Sequence, residues 1–188
     1  MPIYCCKKEK TTELNKLNTC VNKTKTIVFF GHSYINQKDI VNKRLCDIVE
    51  KYIKLDYKNF LIGKYGDFDD MALDVCRELR NKYRDIKITV VVTSYTIFNK
   101  KTVIDHVKGF EDEVKTYSKA DKYSDVETSS YFVEDFHFKR RIIETNRCMV
   151  EDSDVVICYI DTKKMQSGAK RAVNYAKKLG KTIINIYN

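Results

Sequence analysis

Along this chain, short wholly apolar runs alternate with longer segments whose apolar residues recur every three or four positions. Thr26-Ile27-Val28-Phe29-Phe30 is the first such run. A segment apolar at every position suits a strand covered on both faces. Gly31-His32-Ser33 ends it. Over 38–57, Val41, Leu45, Ile48, Tyr52 and Leu55 fall on one helical face. A second strand is expected at 59–62, ended by Gly63-Lys64-Tyr65-Gly66. Asp67 or Asp69 is then placed to cap a helix striped by Phe68, Met71, Ala72, Val75, Leu79 and Tyr83. A Val-rich third strand spans 86–93. The rhythm returns with a helix at 138–150, a strand at 154–160, a helix at 169–179 stopped by Gly180, and a last strand at 182–187.

Strands alternating with helices imply parallel pairing. The expected fold is therefore α/β: a Rossmann-like doubly wound parallel sheet of about five strands, order 3-2-1-4-5. Residues 26–188 form this domain. Residues 1–25 form a basic tail, with a short helix capped by Thr12 allowed within it. Residues 94–136 break the pattern between the third strand and the third main helix. They read as an insertion over the sheet edge, a lid or an oligomer contact, with Tyr131, Val133 and Phe136 alternating like a short strand or hairpin.

Composition narrows the partners. The chain has 188 residues, 43% of them hydrophobic, which is enough for one packed domain. Its 35 basic and 26 acidic residues leave +9, a charge that favours anions. The 7 cysteines contain no CxxC pair. Cys46, Cys76 and Cys158 lie in core patterns, so reduced buried thiols in a cytoplasmic protein are expected, with neither a disulfide nor a zinc framework. No segment approaches the ~18 apolar residues of a membrane span, and no secretory pattern opens the chain.

In open α/β sheets ligands bind beyond the strands' carboxyl ends, where the strand order reverses. With the order above, that crevice lies between the first and fourth strands. Its walls are then Gly31-His32-Ser33 and the turn ending at Ser167-Gly168-Ala169, flanked by Gly63, Gly66 and Asp69. Glycine turns feeding helix N-termini offer backbone N–H groups to a phosphate. Arg147 would add a fork of donors, unless salt bridging with Glu144 and Glu151 claims it. His32 is open to three roles: phosphate donor, base or plain polar lining. Asp154 is expected to cap a turn. No metal site is expected, because the 3 histidines have no ligand spacing. Gly63-Lys64-Tyr65-Gly66 is neither a Walker loop nor GxGxxG. No cofactor is implied.

Taken in order, these motifs resemble the SLOG superfamily, the Rossmann-like group related to Lonely Guy phosphoribohydrolases and the DNA-processing protein DprA. The likeness rests on Val28-Phe29-Phe30-Gly31-His32 and on Gly63-Lys64-Tyr65-Gly66-Asp67-Phe68-Asp69. It continues in Asn146-Arg147-Cys148-Met149-Val150 with Ser153-Asp154-Val155, and ends in Ser167-Gly168 and Tyr175-Ala176-Lys177-Lys178-Leu179-Gly180-Lys181. It is nearest the small stand-alone bacterial and phage branch. The resemblance implies a nucleotide or ADP-ribose-type ligand, sensed or sequestered as a signal in phage defence or counter-defence, and a homo-oligomer. It matches Arg147 to the catalytic arginine of the phosphoribohydrolases. Their glutamate after the glycine turn has no counterpart in Lys170-Arg171-Ala172-Val173-Asn174. Binding is thus expected ahead of cleavage. Two alternatives stand behind it: an N-glycosidase using Glu144 or Asp69, and a DprA-like nucleic-acid-binding module.

Overall fold

The computed structural model describes residues 24–93, 123–131, 138–163 and 167–187. Its elements run β1 (Lys25–Gly31), α1 (Lys38–Lys54), β2 (Tyr57–Ile62), α2 (Asp67–Lys82), β3 (Lys87–Val92) and β4 (Glu127–Ser130). They continue with α3 (Phe138–Glu151), β5 (Val155–Tyr159), α4 (Gly168–Lys178) and β6 (Thr182–Asn185). All strand pairs are parallel, in the order β4-β3-β2-β1-β5-β6. The five expected strands keep their expected order, and β1 and β5 meet at the reversal point.

Alternation along the strands builds two cores. Ile27, Phe29, Phe60 and Ile62 face α1 and α2, where Leu45, Val49, Phe68 and Ala72 cover them. Val28, Phe30, Val156 and Cys158 face the other way, under Met149 and Val150 of α3 and Ala172, Val173 and Ala176 of α4. Two covered faces explain why β1 and β5 are apolar at nearly every position.

Several details correct the sequence-based expectation. A sixth strand, β4, lies inside the segment read as an insertion and pairs outside β3. It is fixed through Asp125, which meets both Arg77 and Arg80 of α2. Tyr131 follows β4 rather than belonging to it, while Val133, Phe136 and the Thr12 helix lie outside the described residues. Helix α1 stops at Lys54, because Asp56 takes a left-handed turn (φ 68°) and Tyr57 already pairs with Lys25. The N-cap of α2 is Gly66, without a side-chain cap. Asp154 holds the start of β1: its Oδ2 accepts from the Thr26 N–H at 2.8 Å. Gly180 does stop α4, at φ 67°, with Lys181 N–H donating to the Ala176 carbonyl and Gly180 N–H to that of Lys177.

Cys76 and Cys158 are buried free thiols, and burial pushes both well above the ordinary thiol range, Cys158 to about 12. Cys46 is free but only half-buried. Cys148 departs from the expectation of reduced thiols: it is disulfide-bonded. Among the described residues no helix is long and apolar enough to cross a membrane, and no group of acidic, His and Cys side chains is arranged to hold a metal.

Candidate functional site

The crevice between β1 and β5 is stitched by the chain itself. The His32 N–H donates to the Tyr159 carbonyl at 3.1 Å, and the Asp161 N–H donates to His32 Nε2 at 2.8 Å. An Nε2 that accepts carries no proton, so the neutral ring keeps its proton on Nδ1. Edge-on contacts with Tyr159 and Tyr187 fix the ring plane. Asp161 in turn accepts from Tyr187 Oη at 3.1 Å and from the Lys163 N–H at 2.9 Å. Of the three roles open to His32, the visible one is to tie the ends of the two central strands together.

On the β2 side the wall is dense. A side-chain carbon on Gly31 would stand 2.3 Å from Phe68 Cγ, and one on Gly66 would stand 2.7 Å from Ser33 Cα. Both glycines therefore serve close packing between the first loop and α2. The Asp67 N–H donates to the Ser33 carbonyl at 3.1 Å across the same contact. The Asp67 carboxylate meets Lys38 at 2.9 Å, which holds it below its usual range.

Asp69 differs from Asp67. Its Oδ2 accepts from the Tyr65 N–H at 2.8 Å, one turn back, and Gly63 lies against the carboxyl. That bond favours the charged form, but desolvation outweighs it, and Asp70 adds a like charge. The carboxyl is pushed up to about 7 from an ordinary 3.8. Around it stand Tyr65, whose hydroxyl bonds Thr93 Oγ1 at 2.7 Å, and Tyr123. Burial, with the charges of Asp70 and Asp69, pushes Tyr123 up to about 12, so it remains a phenol. Thr93 and Tyr123 were invisible as site residues in the sequence. Tyr123 sits beyond the regular pattern, 54 positions after Asp69.

At the start of α4 the chemistry is opposite. Ser167 is the N-cap and its hydroxyl accepts from the Lys170 N–H at 3.1 Å. No acidic residue stands in the first turn. The amides of Gly168 and Ala169 belong to the N–H groups that a helix leaves unbonded internally. Lys170 Nζ reaches the Thr162 carbonyl at 2.8 Å, so cationic charge is held beside the turn.

Arg147 and Glu144 lie elsewhere. Arg147 Nη1 bonds both Glu144 oxygens at 3.0 and 3.1 Å, and its guanidinium stacks 5.6 Å from the centre of the Tyr175 ring. The Tyr175 hydroxyl donates to Glu151. Tyr175 is eight residues past Ser167, about 12 Å down the helix at 1.5 Å per residue. Arg147 thus occupies the α3–α4 seam, while Gly31, His32, Ser33, Gly63, Gly66, Asp69, Ser167, Gly168 and Ala169 follow the carboxyl ends of β1, β2 and β5. No protein-family model matches this chain, and no curated protein matches it either.

Proposed function

We propose that this chain is a SLOG-like binding protein for a nucleotide or ADP-ribose-type ligand, seated across the β1–β5 crevice. The observation that carries the reading is the opposite character of two helix starts above one sheet edge. The α4 start has a serine cap and a lysine and no carboxylate, which suits phosphate. The α2 start carries Asp67, Asp69 and Asp70, acceptors that suit ribose hydroxyls and base amino groups better than phosphate. A nucleotide has both kinds of group. Arg147 contributes on this reading by steadying α4 through Tyr175. Sensing or sequestering a nucleotide signal, in an oligomer and in phage defence or counter-defence, is the biological role that the resemblance suggests.

Calorimetry with ADP-ribose, ribose 5-phosphate and adenosine tests it. ADP-ribose should bind, ribose 5-phosphate should bind more weakly, and adenosine should bind weakest. Binding of adenosine as tight as that of ADP-ribose would remove the phosphate end of the proposal.

One observation favours a second reading, an N-glycosidase. A carboxyl pushed up to about 7 is half protonated near neutrality and can deliver a proton to a departing base. Chromatography of AMP and NAD incubated with the protein separates the two readings. Base release abolished by Asp69→Asn would favour cleavage, and intact substrate would favour binding alone.

A further inference from the structure

The net charge of the chain is not spread evenly over its two helical layers. Helices α1 and α2, on one face of the sheet, together carry eight basic and eight acidic residues. On the other face, α4 carries Lys170, Arg171, Lys177 and Lys178 with no carboxylate, and α3 carries Lys139, Arg140, Arg141 and Arg147 against Glu144 and Glu151. The first layer sums to zero and the second to +6. Both layers carry eight basic residues, so the asymmetry lies in the carboxylates, eight against two, and it leaves the α3–α4 layer with an unbalanced positive field that favours an anionic partner.

We propose that the outer face of α3 and α4 docks the phosphodiester backbone of duplex nucleic acid. Ala172, Val173 and Ala176 of α4 are buried against the sheet, which turns Arg171, Lys177 and Lys178 outward, where all three are exposed. Arg171 and Lys178 are two helical turns apart, about 10 Å on one side of the helix. On α3, the side chain of Arg140 is 65% exposed and that of Arg147 48%. Both α3 carboxylates are engaged within the seam, Glu144 by Arg147 and Glu151 by the Tyr175 hydroxyl.

Two absences among the described side chains of this face select the partner. Among the described residues the exposed large apolar side chains are Tyr34, Ile40, Leu55, Tyr65 and Leu179, and none lies within 139–151 of α3 or within α4. Single strands are gripped by base stacking on aromatic rings, and the described side chains of this face include no exposed ring for it. An anionic membrane surface is held by apolar side chains inserted beside the cations, and Leu179 alone does not supply that. A cationic, unreading surface fits the backbone of a duplex, with affinity from counterion release.

The test is fluorescence anisotropy of a labelled 20-base-pair duplex with the full chain, at 50 and 200 mM KCl. Arg171→Gln with Lys178→Gln removes two outward cations of α4. Lys43→Gln with Lys51→Gln removes two exposed cations of α1 as a control. Each lost phosphate contact lowers the salt slope by about 0.9, so the α4 variant should show a roughly 10-fold smaller loss of affinity over this salt range than the wild type. The control should behave as wild type. Failure of the wild type to bind duplex, equal weakening by the α1 pair, or an unchanged slope in the α4 variant would each overturn the proposal. So would tighter binding to a matched single strand, or to phosphatidylserine vesicles. None of these outcomes bears on the nucleotide crevice.

Discussion

The starts of α2 and α4 differ in packing as much as in charge. At α2 the loops interlock: Phe68 fills the space beside Gly31, and Ser33 fills the space beside Gly66. At α4 a side-chain carbon added to Gly168 would meet nothing within 4 Å among the described residues. Glycine is thus kept at one end by the protein's own contacts. At the other end no described neighbour accounts for it, and on the proposed reading the space belongs to the ligand. A glycine-bearing turn after a strand has two physical meanings, and only the neighbours tell them apart.

The largest effect expected from this contrast is at Gly31. Gly31→Ala forces Cβ into a ring atom 2.3 Å away, at the end of a central strand of the sheet. Phe68 is fully buried. Overpacking of this kind costs on the order of 3 kcal/mol. In a domain of this size that lowers Tm by about 6–12 °C. Thermal unfolding followed by circular dichroism measures it. A Tm within 2 °C of wild type would show that the α2 wall yields easily, and the contrast would collapse.

A smaller effect, with a distinctive pH signature, is expected at Asp69. Its folded carboxyl titrates at about 7, against 3.8 ordinarily. Between those values the folded state binds more protons than the unfolded chain. Stability must therefore fall as pH rises from about 4 to 7, and the full penalty is present above 7. The shift corresponds to roughly 2–4 kcal/mol, an upper range because the side chain is partly open to water. Asp69→Asn keeps an acceptor for the Tyr65 N–H and removes the titration. It should be more stable than wild type at pH 8, with the advantage fading towards pH 5. Urea denaturation at both values decides it, and an advantage that does not change with pH would refute the desolvated acid.

What was legible in the sequence follows from the same physics. The apolar runs at Ile27, Leu61, Val91, Val156 and Ile184 announced themselves because strands covered on both faces need apolar residues at successive positions. Strand β4, Glu127-Thr128-Ser129-Ser130, did not, since an edge strand is half-exposed and accepts polar residues. Its position depends on Asp125 and two arginines some 45 positions earlier. In the site, the turns could be found from their glycines. The bond from Asp161 to His32 spans 129 positions and leaves no local signal. The pairing of Arg147 with Glu144 was readable from helical spacing, whereas the Tyr175 ring that fixes its direction belongs to another helix.

The smallest stability effect, and the one that reports most directly on ligand binding, is expected at Gly168. It is the first residue of α4 and carries no left-handed backbone angle. Replacing glycine with alanine there restricts the unfolded chain and meets no neighbour among the described residues, so stability should rise by about 0.4–1 kcal/mol or stay level. A phosphate drawn to the first-turn amides would, however, come close to the new methyl group. If the amides hold the ligand, Gly168→Ala should weaken ADP-ribose binding by roughly 10-fold, equivalent to 1.4 kcal/mol, while Tm is unchanged or higher. Gly31→Ala should do the reverse to stability. Loss of affinity without loss of stability is the mark of a glycine kept for an approaching group. If calorimetry instead shows that Gly168→Ala binds ADP-ribose as wild type does, the phosphate does not lie at α4, and the contrast between the two helix starts is one of packing alone.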